Sequence, residues 1–141
     1  MDSNSARERF AAARVARLAT ASAAGEPHIV PVVFALTDDA VYLAVDAKPK
    51  STVQLRRLAN IAATGRVSLL VDAYDEDWAQ LWWVRVDGHA EILAAQDPSG
   101  RASIDALVAK YPQYAHNRPE GPAIIVRELT WRSWEYTPGT A

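Results

Sequence analysis

From Leu81 to Leu93 the chain alternates: Trp82, Val84, Val86, Gly88, Ala90 and Ile92 fall on one side, and Trp83, Arg85, Asp87, His89 and Glu91 on the other. A period of two over this length fits a strand and not a helix, because successive strand side chains point to opposite faces. One face is apolar and the other mixed, so the strand covers a core with the first. It needs neighbours, and the sequence supplies them. Ala16 to Ala21 reads as a short strand. Pro27 to Leu36 is nearly all apolar, too continuous for a strand wetted on one side. Thr37-Asp38-Asp39 turns it into Val41–Val45, an antiparallel hairpin. Val67 to Val71 is a further buried strand, and Ala123 to about Tyr136 is the last. Six strands with few helices predict a mainly β fold, a small antiparallel barrel within one domain over residues 1–141.

Three helices accompany the strands. Ser3 or Ser5 can cap a first helix that runs through Arg14, with Phe10 and Ala13 inward and Arg7 and Arg9 outward. Asp97-Pro98 starts another that runs to about Tyr111, and Pro112 to Pro122 is polar and irregular. The third interrupts the strands after Val45 and ends at Thr64-Gly65. It lies in a segment of unusual charge. Between Asp46 and Asp72 there is no acidic residue, while Lys48, Lys50, Arg56, Arg57 and Arg66 are cationic in a chain of net charge −2. Ser51 and Gln54 form a capping-box pattern, and Pro49 holds Lys48 extended. A helix start with free amides, flanked by two lysines, suits an anion. Arg57 and Asn60 follow on the same helix, three apart and pointing the same way. The plainer alternative is a solvated basic face.

Composition narrows the chemistry. The chain has 141 residues, enough for a real core, and no cysteine, which excludes disulfides, thiolate metal sites and cysteine nucleophiles. No apolar run reaches membrane-spanning length and the first residues lack an apolar leader core, so a cytoplasmic protein without a membrane partner is the simplest reading. Near-neutral charge argues against nucleic acid as a partner. His28, His89 and His116 have no metal-ligand spacing, and Asp72, Asp75, Glu76 and Asp77 read as a solvated loop. There is no nucleophile elbow, P-loop or dinucleotide-binding glycine pattern. If the chain is an enzyme, a cofactor carries the chemistry. Pro31 interrupts an apparent central strand, which means an edge, a bulge, or a flat ligand against the backbone. Trp78, Trp82, Trp83, Trp131 and Trp134 supply core or subunit interface, with one or two to line a ring pocket.

Several stretches, in order, resemble the pyridoxamine 5'-phosphate oxidase-like split-barrel family, in particular its branch that uses the deazaflavin coenzyme F420. They are Arg17-Leu18-Ala19-Thr20, Gly25 to Phe34, Arg56-Arg57-Leu58-Ala59-Asn60-Ile61, Gly65 to Asp72, and Trp82 to Ala90. The resemblance runs from about Arg14 to Leu93. It implies a homodimer with two cofactor sites in the interface, a ring lying against Val30, Pro31 and Val32, and a phosphate held by Arg57 in the pattern Arg57-x-x-Asn60. Lys50, Ser51 and Arg56 are the implied neighbours, and either Lys50 or Arg57 is the main phosphate contact. The family often has Lys at the place of Arg57 and Pro at that of Gly65, and the segment from Lys48 to Gln54 is longer than in many members. The implied activity is an F420-dependent oxidoreductase moving hydride between the deazaflavin C5 and a small organic acceptor. The cation surplus favours F420, with its acidic oligoglutamate tail, over FMN. The alternatives are an FMN-dependent oxidase, disfavoured by the lack of a second anion site for a substrate phosphate, and a carrier that binds the cofactor without turnover.

Overall fold

The computed structural model describes residues 1–45 and 52–138, with residues 52–55 as backbone only. Seven strands, β1 (Ala16–Ala21), β2 (Pro27–Val32), β3 (Ala35–Thr37), β4 (Ala40–Ala44), β5 (Arg66–Ala73), β6 (Trp82–Leu93) and β7 (Ala123–Glu135), form one sheet in the order β2-β1-β5-β6-β7-β4-β3. Every neighbouring pair is antiparallel. The two edges, β2 and β3, are consecutive in the chain and only residues 33 and 34 join them. A sheet whose edges are tied so closely must curl back on itself, and this makes it a split barrel.

The count is seven strands, not six, because the apolar run from Pro27 to Leu36 breaks at that corner. Phe34 is wholly buried there and leaves the strand ladder. Its N–H donates to the Tyr111 hydroxyl at 3.2 Å, and that hydroxyl lies 3.0 Å from the carbonyl oxygens of both Phe34 and Arg14. Side-chain satisfaction of a buried backbone group is what lets the chain turn inside the core. The hairpin after it is as expected: Thr37 pairs with Ala40 across Asp38-Asp39, with Asp38 at φ 51°.

Helix α1 (Ser3–Ala12) is capped by Asp2, whose carboxylate accepts from the Ser5 N–H at 2.8 Å, and not by Ser3 or Ser5. It stops short of Arg14, whose guanidinium donates instead to the Lys110 carbonyl at 3.0 Å. Helix α2 (Thr52–Thr64) ends on Gly65 at φ 70°, where the Gly65 N–H closes on the Ile61 carbonyl at 2.8 Å. Left-handed φ favours glycine, and here a Cβ would also meet the His89 ring at 2.1 Å. Helix α3 (Pro98–Lys110) begins as the Asp97-Pro98 pair predicts, with Asp97 accepting from the Ser99 N–H at 2.9 Å. Phe10 of α1 packs on Phe34 at 4.7 Å and on Trp131 at 5.4 Å between ring centroids. Leu18, Leu69, Val84, Val86 and Val126 complete the interior around them. Among the described residues no helix is long and apolar enough to cross a membrane.

Candidate functional site

Strand register decides which side chains share the outer face of the sheet. One row across the strands runs Pro31, Arg17, Leu70, Arg85, Arg132, and the next runs Ile29, Ala19, Ser68, Asp87, Thr130. At the end of these rows Asp72, Trp83 and Trp134 are neighbours. Arg85 forks onto Asp87, with Nε to Oδ1 at 3.0 Å and the terminal nitrogen to Oδ2 at 3.2 Å. The Ser68 hydroxyl adds a third donor at 2.7 Å. Beside this network lies an apolar groove of about 380 Å³ bordered by Ile29, Leu70 and Trp83. Ile29 is 64% exposed and Trp134 44%.

The second strand divides by face. Val30 and Val32 turn into the barrel, where Val32 is buried and Val30 packs against the core. Pro31 turns outward and is exposed. Because β2 is a sheet edge paired only with β1, the missing Pro31 N–H disrupts no second ladder. Only Pro31 offers its side chain to a ring on the outer side; Val30 and Val32 can offer backbone.

Lys48, Pro49, Lys50 and Ser51 lie outside the described residues, and the capping box and lysine pair of the helix start go with them. The rest of the α2 site is described. Arg56 is exposed, whereas Arg57 and Asn60 face the barrel and keep only 9% and 4% of their surface. Asn60 Nδ2 donates to Thr20 Oγ1 on β1 at 3.0 Å. Thr20 stands opposite His28 of β2, and His28 Nδ1 is buried with no hydrogen-bond partner among the described residues. The fold thus brings Asn60 of α2 onto Thr20, opposite His28, at one end of β1 and β2, with Arg57 buried three residues earlier on the same helix. A buried ring nitrogen without a hydrogen-bond partner among the described residues, across the ladder from a Thr20 held by Asn60, suits a polar ligand. Arg66, the fifth cation of the segment, is elsewhere: it opens β5 and points to the outer face. Thr20 and His28 are additions to the residues named from sequence. Thr20 had a signal, as the one polar residue on the inward side of β1 after Ala16 and Leu18.

Arg66 lines a second and larger cleft, of about 620 Å³, with Ala19, Ala21, Ser68, His89 and Glu128. It lies where β7 carries one residue more than β6. Asp87 pairs with Thr130 and His89 with Arg127, so Glu128 and Leu129 together face Gly88. Glu128 takes φ 57°. A Cβ on Gly88 would stand 2.6 Å from the Val126 side chain and 2.9 Å from the Arg127 carbonyl, so the bulge needs that glycine. Among the described residues no three His, Asp or Glu side chains converge on a metal-sized site.

Comparison with known proteins bears on this geometry. Among solved structures, HutZ, the heme storage protein of Vibrio cholerae, superposes with a TM-score of 0.72 at 11% identity, covering 94% of this chain and 93% of that one. A FAD-binding protein from Mesorhizobium loti gives 0.69 at 24% identity, with 94% and 93% covered. A conserved hypothetical protein from Mycobacterium tuberculosis gives 0.67 at 23% identity, with 100% and 95% covered. Likenesses at such identities establish the fold alone. No curated protein matches the chain. The sequence matches the pyridoxamine 5'-phosphate oxidase family over residues 3–137, nearly its whole length. The chain therefore belongs to the pyridoxamine 5'-phosphate oxidase family.

Proposed function

We propose that this protein is an F420-dependent oxidoreductase, working as a homodimer that moves hydride between the deazaflavin and a small organic acceptor. The observation that carries the reading is the polar end of β1 and β2, where the Asn60–Thr20 pair stands opposite His28, whose Nδ1 has no hydrogen-bond partner among the described residues, and Arg57 is buried on the same helix as Asn60. Arg56 and Arg57 would hold the phosphate, with Lys50 and Ser51 as further contacts, and Pro31 would support the ring. The bound cofactor supplies the hydride chemistry; the chain's part is to bind it, orient it and keep the site dry. The exposed Ile29 and Trp134, beside the outer-face groove of Leu70 and Trp83, support a subunit interface there, since contiguous exposed apolar side chains mark interaction surfaces. Light scattering at micromolar concentration that finds only monomer, with cofactor added, would overturn the dimer.

F420 is favoured over FMN because Lys48, Lys50, Arg56 and Arg57 exceed what one phosphate needs, and an acidic tail would use the surplus. Fluorescence titration with each compound tests this. Tighter binding of F420, weakening as salt is raised, is the expected result. If FMN binds at least as well at low salt, the protein is an FMN enzyme. A second reading, carriage of a bound cofactor without turnover, draws on the fold likeness to a heme storage protein. Oxidation of reduced F420 by an electron-poor alkene in the protein's presence separates oxidoreductase from carrier.

A further inference from the structure

We propose that two copies of this chain meet outer face to outer face with their strands running in opposite directions, so that Asp72, Trp83 and Trp134 of one stand over the partner's Arg66 and His89. The proposal rests on the homodimer reading above and adds its orientation, which decides what each copy contributes to the other.

Four rows of side chains cross the outer face of β1, β5, β6 and β7. Arg66 and His89 make the first, and Ala19, Ser68, Asp87 and Thr130 the second. Arg17, Leu70, Arg85 and Arg132 make the third, and Asp72, Trp83 and Trp134 the fourth. The face is therefore banded in charge along the strands. The third row holds three arginines, of which Arg85 alone is ion-paired among the described residues, with Asp87.

Two identical faces that meet in a closed dimer are related by a two-fold axis lying between them. Its two limiting directions are along the strands and across them. With the axis along the strands, every row faces its own copy. Three arginines then face three arginines, and Asp72 faces Asp72. Like charges so placed oppose association. With the axis across the strands, between the second and third rows, each row meets a different one. Arg85 meets the partner's Asp87, Arg132 meets the hydroxyl of the partner's Thr130, and Asp72 meets the partner's Arg66. Charge selects this arrangement.

Shape agrees with charge. Trp83 is half-buried and Trp134 is 44% exposed, so the fourth row is an aromatic end. The first row borders the cleft of about 620 Å³, which Thr20 also lines. Opposed strands set the aromatic end of each copy over the cleft of the other. The partner's Trp83 and Trp134 then wall the end of β1 where Thr20 stands, and each cofactor end is completed by the other chain.

The test uses the full chain without cofactor. It has no cysteine, so an introduced thiol is unique. Asp72→Cys and Arg66→Cys are mixed and treated with a short bismaleimide, with an affinity tag on one of them to separate mixed from like pairs. The expected result is at least tenfold more mixed pair than Asp72→Cys linked to itself. In sedimentation, Asp72→Arg should weaken dimerisation tenfold or more, and adding Arg66→Asp to the same chain should restore it. Asp72→Cys that links chiefly to its own copy overturns the orientation and leaves the dimer standing. A double variant as weak as Asp72→Arg does the same. A chain that is monomeric throughout overturns both.

Discussion

The two faces of this sheet are built by different rules. Inward, Leu18, Leu69, Val84, Val86 and Val126 are at most 1% exposed. Outward, the same strands carry Arg17, Ser68, Arg85, Asp87 and Thr130, all reached by water, with Asp87 held by Ser68 from the next strand and by Arg85 of its own. The inner face works by exclusion of water, which asks only for apolar volume. The outer face works by position, since Ser68 reaches Asp87 only in this register. Leu69 and Leu70 put the contrast in two consecutive residues. Leu69→Ala should cost roughly 2–5 kcal/mol in urea denaturation, as a buried leucine leaves a cavity. Leu70→Ala, on the outer face, should cost roughly 0.5 kcal/mol in the monomer, as surface changes do. Equal losses would mean the outer face is also closed, by a partner.

Arg57 crosses the divide. From sequence it is an anion-facing arginine on a helix surface, whose loss should barely change stability. In the structure it is 9% exposed. Arg57→Ala should still remove about 1.5–3 kcal/mol of cofactor binding, or ten- to a hundredfold in affinity. It should now also lower the melting temperature, because the aliphatic stem packs against the barrel. Arg57→Lys should lose less of both, since charge and stem remain while the fork is gone. Unchanged affinity with lost stability would make Arg57 structural and leave Lys50 and Ser51 as the phosphate site.

The inner face was the legible one. Alternation along Leu81–Leu93 predicted β6 to within a residue, and Ala16–Ala21 matched β1 at both ends. The corner at Phe34 was not legible, because its reason is the Tyr111 hydroxyl, 77 residues away. The capping of α1 was assigned to serine although Asp2 stood one residue earlier with the better acceptor. On the outer face, sequence placed Arg66 with Arg57 because they share a segment. Gly65 turns the chain between them, and the two arginines serve opposite sides of the sheet. Nothing local marks Glu128, since a bulge is a property of two strands; Gly88 opposite was the only trace.

The Phe34 corner also sets the next prediction. Tyr111 is 6% exposed and supplies the sole partner found for the Phe34 N–H among the described residues. Tyr111→Phe keeps the ring and removes the hydroxyl, leaving that buried N–H unsatisfied. A loss of about 1–3 kcal/mol is expected by thermal or urea denaturation. A loss within error would mean that water reaches the corner.

The smallest effect comes from Lys110, the charge nearest this inner corner. Its ammonium donates to the Ala13 carbonyl at 2.7 Å and lies 3.9 Å from the centre of the Phe34 ring. Burial first, and the Arg14 charge second, lower its pKa from 10.5 to about 8. Between those two values the unfolded chain holds more protons than the folded one, so stability rises with pH across the window and the gain is lost as pH falls through about 8. The side chain is half-open to water, and screening reduces the effect to ~1 kcal/mol or less. Tyr111 closes the window from above. Burial raises its pKa over 10.0, so its contribution is present below that pH and lost above it. The melting temperature of the native chain should therefore climb modestly from pH 8 towards pH 10 relative to that of Lys110→Met. Met keeps the aliphatic stem and removes the titration. If both proteins follow the same pH profile, Lys110 is solvated at its tip, and the inner corner is less closed than the Phe34–Tyr111 geometry implies.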